Sequence, residues 1–412
     1  MAESQFSSLQ IRVLVILALI NLVNYVDRQV LYPLFPLIAA DYHLTHEQLG
    51  ILAVAFSLVH AISSLPLGRL GDIVSRRKLI SGAIFFWSGA TFLSGLAGSF
   101  RSLIGARALV GVGEAAYTPA STAMITATFP RAVRARVQGV FDTGMFIGGA
   151  GGIVLGGLVA AHWGWRSAFF IVGVPGLLLA LCVLHLPEVG GPPHQTLVPI
   201  RDLLRIPAFL MIMVSGWFST FAAHAYIIWG PMFVQQCKGF SVEEAGVTLG
   251  GILVIAGISG VTTGAAIADR LTRRYPWGRA LTVAFGFLVS APLLLLTLHA
   301  SHRTTLLLTF SVGCFFMTWY HGPVTAITHD LTPPRAHATA MAIYYFWVNL
   351  FAVIPAAWLV GKIADHYDLM VAIHSAVVAQ AAGGCCFLIV TLMIRRQRRY
   401  EAGHSVENPL LR

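Results

Sequence analysis

The chain has 412 residues, of which 57% are hydrophobic and 11% charged, with a mean hydropathy of +0.75. Soluble domains carry about 25% charge. No soluble core could hide this much apolar surface, so the composition excludes a water-soluble fold and makes lipid the solvent. The net charge of +10 does not point to nucleic acid, because the cations sit in short loops rather than on one polar face.

A helix needs ~20 apolar residues to cross the hydrocarbon core. Twelve runs reach that length, at 11–37, 46–67, 79–99, 102–128, 137–161, 167–186, 208–235, 244–267, 280–299, 304–328, 338–361 and 371–394. No small-residue cleavage site follows the first run, so no removable signal peptide is expected. Between runs 2 and 3, Gly68 to Lys78 (GRLGDIVSRRK) packs two glycines, an Asp and four cations into what reads as a short loop at a membrane face. Between runs 6 and 7, Pro187 to Pro207 holds Pro192, Pro193 and Pro199. It ends in a short amphipathic piece, Ile200 to Ile206, which predicts a linker with an interfacial helix. Domain limits follow: a bundle at 1–187, a linker at 188–206, a second bundle at 207–395 and a tail at 396–412.

The chain repeats. Gly264 to Arg274 (GAAIADRLTRR) is a degenerate copy of the first loop, and Asp72 and Asp269 stand 197 residues apart. Leu44 to Gly50 (LTHEQLG) leads into run 2 as Phe240 to Gly246 (FSVEEAG) leads into run 8. Pro33 matches Pro231, and Arg134 to Val140 matches His337 to Ile343. A duplicated six-helix unit, with a site between its halves at the midplane, is a transporter plan. With a cytoplasmic N-terminus, 20 of the 27 Lys and Arg fall on the cytoplasmic side, five outside and two within the membrane. That bias predicts that both termini are cytoplasmic.

Twelve runs, a central break and GRLGDIVSRRK with its echo resemble the major facilitator superfamily over the whole chain. The resemblance implies an all-α integral membrane fold, with twelve transmembrane helices in two pseudo-symmetric six-helix bundles. In that family the Asp and Arg residues of this loop latch helix ends on the cytoplasmic side. By match this implies a cytoplasmic gate of Gly68, Gly71, Asp72, Arg76 and Arg77, with Asp269, Arg273 and Arg274 as a second copy.

Ionisable groups inside a span cost several kcal/mol unless paired or wetted, roughly 2.5–3.5 on insertion scales. Asp27 and Arg28 (in NYVDRQV) lie in run 1, ~24 Å along the helix. Arg107 and Glu114 (in ARALVGVGEAAY) share one face of run 4, ~10 Å apart along its axis, too far for a tight mutual pair. Each therefore needs a partner elsewhere, and run 1 supplies two. The bland reading is a static network that fixes helix register. The functional reading makes Asp27 and Glu114 proton-coupling carboxylates, with Arg28 and Arg107 as their charge partners. Whether such a carboxylate is ionised depends on its burial and its Arg partner, so a cycle that changes either loads and releases a proton. Asp142 is a third candidate nearer the cytoplasmic end.

Arg107 to Ser121 (RALVGVGEAAYTPAS) with Asn24 to Arg28 resembles the spinster branch of the superfamily, proton-linked carriers of lysophospholipids and sphingoid lipids. This implies Asp27, Arg28, Arg107 and Glu114 as a functional cluster. GEA occurs in anion-carrier branches too, and Pro119 departs from the pattern. Run 5 spaces Gly144, Gly148, Gly152 and Gly156 every four residues, a stripe for close helix approach. Gly139, Gly148, Gly152, Gly156 and Gly157 also resemble the run-5 motif of drug/proton antiporters, with Ile153 where that motif has a proline. Pro355 occupies the matching place in the other half.

The second half supplies aromatics instead of charges. Tyr320, His321 and Tyr345 pair an apolar body with a polar handle and, with Asn349, are the expected substrate cavity. An amphipathic substrate would set its head toward the first half and its apolar part toward the second. Fifteen histidines and five cysteines show no metal-ligand spacing, and there is no P-loop and no nucleophile with a base, so neither an enzyme, a cofactor nor ATP-driven transport is expected. The expectation is a proton-coupled secondary active transporter, monomeric and multi-pass, in a bacterial inner membrane, exporting amphipathic or lysolipid-like substrates by alternating access. The alternative is a proton/anion symporter for small organic acids, with Arg28 and Arg107 as clamps.

Overall fold

The structure, a computed structural model, describes residues 6–130, 134–186, 188, 199–332 and 337–406. Among the described residues there is no strand. Run 1 folds as α1 (Ser8–Gln29), a 3-10 turn (Tyr32–Leu34) and α2 (Phe35–Tyr42). Pro33 sits in that turn, because its ring removes an amide and clashes with the preceding helical turn. Runs 2 to 4 are α3 (His46–Ile73), α4 (Arg76–Gly95) and α5 (Phe100–Thr128). Runs 5 and 6 form α6 (Arg134–Val183), bent at Gly164, whose φ of 77° suits a residue with no Cβ.

The linker helix is shorter than the amphipathic pattern predicts: α7 is a single turn (Ile200–Leu203), and Leu203 is buried among second-half core residues. Then follow α8 (Pro207–Lys238), α9 (Val242–Arg274) and α10 (Gly278–His299). Run 10 is α11 (Arg303–Met317), a 3-10 turn (Thr318–Tyr320) and α12 (His321–Leu331). Run 11 is α13 (His337–Val348), a π-helical turn (Asn349–Val353) and α14 (Ile354–His366), and run 12 is α15 (Leu369–Val406). Among the described residues eight stretches are long and apolar enough to cross a bilayer, and one of them, Val140–Val183, contains the bend and covers two runs. The remaining three runs are α4, α5 and α11 with α12.

The duplication is visible in the caps. Thr45 caps α3, accepting from the Gln48 amide at 3.3 Å while Gln48 Oε1 accepts the Thr45 N–H at 2.9 Å. Ser241 and Glu244 make the same reciprocal pair at the start of α9, at 2.9 and 3.0 Å. LTHEQLG and FSVEEAG are thus one capping box used twice.

The loop GRLGDIVSRRK is less of a loop than its charge suggests. Helix α3 runs to Ile73 and α4 starts at Arg76, while the copy 264–274 lies wholly inside α9. Three cations therefore open α4, where the helix dipole disfavours them. Arg77 answers this by donating to the Leu186 carbonyl at 3.1 Å and facing Glu188 at 3.8 Å, and Ser75 donates to Glu188 as well.

Two compact units emerge. The first joins Met1–His194 with Ile227–Val254 and Ala357–Leu369, and the second joins Gln195–Tyr226, Ile255–Ala356 and Met370–Arg412. The first unit therefore includes the last residues of α8, the first residues of α9 and most of α14. Its core gathers Leu17, Ile20, Trp87, Tyr117 and Phe129, and the second gathers Phe209, Ile212, Phe287 and Phe387.

Candidate functional site

Glycines set the depth of the charged cluster. A Cβ on Gly148 would overlap the Leu22 carbonyl oxygen, one on Gly152 would lie 2.5 Å from the Val26 carbonyl, and one on Gly156 2.8 Å from the Val30 carbonyl. The stripe on α6 thus runs directly along the backbone of α1, past Asp27. Gly111 and Gly113 do the same for α5. A Cβ on Gly111 would lie 2.6 Å from the Phe56 carbonyl of α3, and one on Gly113 2.7 Å from Trp87 Cβ of α4. Glu114 follows these two glycines and is buried. The Tyr117 hydroxyl, one turn on, donates to the Leu17 carbonyl at 2.9 Å and fixes α5 against α1.

The four charges meet. Asp27, Arg107 and Glu114 are 0%, 1% and 1% exposed, and the Arg28 side chain is 23% exposed. Arg28 places both Nη2 and Nε on Glu114 Oε2, at 2.7 and 3.2 Å. Its guanidinium also lies 5.1 Å from the Tyr25 ring centre and 4.9 Å from that of Phe56. The Arg107 guanidinium lies 5.6 Å from the same Phe56 ring centre and approaches Asp27 Oδ1 to only 3.8 Å. That is an ion pair without a hydrogen bond. Asp27 Oδ1 accepts instead from the Thr91 hydroxyl at 2.6 Å.

The two carboxylates are therefore held differently. Glu114 Oε2 accepts two bonds from its arginine, while Oε1 has no hydrogen-bond partner. Asp27 keeps a neutral donor and a distant cation, and its Oδ2 has no hydrogen-bond partner, nor do Arg107 Nε and Nη1. A buried charge with unmet hydrogen-bonding capacity is costly; Glu114 offsets that cost with two bonds from a cation, and Asp27 with one from a neutral hydroxyl.

The other expected residues fall as follows. Tyr320 and His321 stack at 4.1 Å where the 3-10 turn meets α12, with Tyr320 also 5.5 Å from Phe287. Tyr345 is exposed and lies edge-on to Tyr344 at 5.7 Å. Asn349 is exposed, and its Nδ2 donates to the Tyr345 carbonyl one turn back, at 2.7 Å. Gly68, Gly71 and Asp72 sit in the last turns of α3, and their side chains lie outside the described residues. Arg76 is buried. Asp269 faces Arg279 at 3.3 Å, and Arg279 also holds Asp330 at 2.5 Å, whereas Arg273 is exposed.

Sequence patterns alone give no sign of three contributors. Thr91 and Phe56 are ordinary residues of apolar runs until packing brings them to the cluster. The third is Trp217. Pro355 has no N–H to offer the carbonyl four residues back, that of Phe351, and the Trp217 indole donates to that oxygen instead. The adjoining π-helical turn, Asn349–Val353, marks the same irregular point of run 11.

A family model for the Major Facilitator Superfamily matches residues 17–356. An MFS-type efflux pump of Mycolicibacterium smegmatis is 28% identical over 386 residues, covering 92% of this chain and 88% of the pump. Human protein spinster homolog 1 is 26% identical over 433 residues, covering 94% and 81%. In fold, the chain superposes with a TM-score of 0.81 on the crystal structure of a bacterial homolog of the human lysosomal transporter Spinster, in an inward-facing and occupied conformation. The two are 22% identical, with 96% of this chain and 98% of that one covered. This chain belongs to the major facilitator superfamily, as a transporter rather than an enzyme, and resembles its spinster branch.

Proposed function

We propose that this protein is a proton-coupled secondary transporter that exports amphipathic, lysolipid-like molecules by alternating access, with both termini cytoplasmic. The observation that carries the proton assignment is the unequal holding of the two buried carboxylates. Glu114 is neutralised by a two-bond contact at 2.7 and 3.2 Å, while Arg107 stops 3.8 Å from Asp27. Asp27 is the group that takes up the proton, and Arg107 is the partner whose approach expels it. A proton on Asp27 removes the burden of a buried, half-satisfied charge. Movement of Arg107 by about 1 Å would give the ionised form a charge-assisted hydrogen bond. The two positions are alternatives within one cycle.

Support for the substrate class comes from chemistry and from relatives. The first unit holds the charges, and the second offers Tyr320, His321 and Tyr345, apolar bodies with polar ends. An efflux pump and spinster proteins are among the similar chains. A second reading, symport of a small organic acid with a proton, draws on the partial exposure of Arg28, which would meet an acid once it leaves Glu114.

The test is purified protein in liposomes under an imposed pH gradient, challenged with lysophospholipids, drug-like cations and small organic acids. The proposal expects gradient-driven flux of the amphiphile. Saturable flux of the acid alone supports the symporter, and no gradient-dependent flux of any of the three removes the coupling.

A further inference from the structure

We propose that Asp365 is the positioning residue of a gate at the outer end, the end of the helices away from both termini. Its carboxylate holds the start of α3 against α14. The inference rests on alternating access but on neither the proposed proton nor the proposed substrate.

Asp365 is the penultimate residue of α14, where the dipole of its own helix disfavours a negative charge. It faces the N-terminus of α3 instead, where the dipole favours one. Oδ1 accepts the His46 amide at 2.8 Å and Oδ2 the Glu47 amide at 2.8 Å, so one carboxylate takes the first two orphan N–H groups of that helix. Oδ1 also meets His46 Nδ1 at 2.8 Å. The third amide of the turn, Gln48, is served by Thr45 within the same segment. Helix α3 is therefore capped partly by its own chain and partly from a helix more than 300 residues later.

Around that carboxylate, which stands exposed at the helix end, the contact is close. Trp358 Nε1 donates to Glu47 Oε1 at 2.8 Å, and Lys362 Nζ lies 4.8 Å from the Trp358 ring centre. The His46 ring stands 6.2 Å from Trp229 of α8. Two glycines make the approach possible. A Cβ on Gly361 would lie 2.6 Å from the His46 carbonyl, and one on Gly50 would overlap the Ala357 carbonyl. Every one of these groups belongs to the first unit. Opening toward the outer face must break this cluster, and closing must rebuild it. Asp365 sets the balance because its carboxylate takes two charge-assisted bonds from the α3 backbone.

Hydrogen–deuterium exchange of the purified protein, without substrate or pH gradient, tests this. Asp365→Ala should speed exchange in residues 44–50 and in the ends of α8 and α14 by about tenfold or more, the scale set by losing bonds to a charged acceptor. The same variant should slow exchange at the opposite end, in residues 74–80 and 272–280, because the molecule then favours the outward-open state. Gly50→Ala, a wedge that leaves the carboxylate intact, should give the same opposite-signed pattern, and Asp365→Glu should restore part of the wild-type pattern. Gln48→Ala, which removes only the local half of the capping box, should speed exchange at 44–50 alone. The proposal is overturned if Asp365→Ala matches Gln48→Ala, or if it raises exchange at both ends, the signature of lost stability.

Discussion

The Arg28–Glu114 pair is buried unequally, and this makes its two halves differ in consequence. Removing one partner of a buried pair leaves the other charge unpaired, at a cost of roughly 3–5 kcal/mol. Glu114 is 1% exposed and has no water to fall back on, whereas the Arg28 side chain is 23% exposed and keeps the Tyr25 and Phe56 rings. Glu114→Gln therefore leaves a cation that is partly hydrated and ring-supported, for a loss of about 1–2 kcal/mol. Arg28→Met leaves a buried carboxylate that escapes only by taking a proton. Starting from an ordinary Glu, that proton costs about 3–4 kcal/mol at pH 7 and about 1 kcal/mol at pH 5, so the deficit of Arg28→Met is bounded near the first figure and shrinks on acidification. The sign follows from linkage: the variant folds with a proton that its unfolded chain lacks at neutral pH, so its stability falls as pH rises. Thermal unfolding of detergent-purified protein at pH 7 and pH 5, for both single variants and the double, reads all of this. The expected order at pH 7 is wild type, then Glu114→Gln, then Arg28→Met, with the double variant more stable than Arg28→Met alone. Equal losses from the two singles, strict additivity, or an Arg28→Met deficit unchanged at pH 5 would show that the two ends of the pair are held alike.

Other outcomes follow from the same geometry. Gly148→Ala forces its Cβ onto the Leu22 carbonyl and should lower apparent stability by about 1–3 kcal/mol, while Gly149→Ala next to it, 3.8 Å from Gln29 Cγ, should be neutral by the same thermal assay. Arg279→Gln leaves Asp269 and Asp330 without their shared cation and should slow transport in proteoliposomes, whereas Arg273→Gln, at an exposed site, should leave the rate within about twofold. Trp217→Phe takes away the donor to the Phe351 carbonyl and should cost about 1–3 kcal/mol. Adding Pro355→Ala, which supplies a backbone N–H, should recover part of that loss, and no recovery would separate the indole bond from the proline.

Much of this was legible because membrane chains obey few rules. Twelve apolar runs, a repeat and four in-span charges were enough to place a transporter fold and to send α5's charges to α1. The pairing within the cluster was not legible. Which of Asp27 and Arg28 meets which of Arg107 and Glu114 depends on helix rotation by a fraction of a turn, and that is set by Gly111, Gly113 and the α6 stripe acting together. Arg279, rather than Arg273, holds Asp269 for the same reason: the partner is chosen by where α10 and α12 come to rest. Asn349, expected in the substrate cavity, donates to the Tyr345 carbonyl of its own helix, a contact that composition does not announce. Asp365 reads in sequence as a polar residue near a loop, since nothing in its neighbourhood announces a helix start from the other half.

In the proposed cycle Asp27 couples proton movement to substrate movement. Paired measurements on Asp27→Asn in proteoliposomes test it most directly, comparing lysophospholipid flux driven by an imposed pH gradient with substrate counterflow at equal pH. The variant should lose the gradient-driven flux and retain counterflow, because binding and alternation survive while the proton site is gone. Gradient-driven flux at the wild-type rate in Asp27→Asn would contradict it.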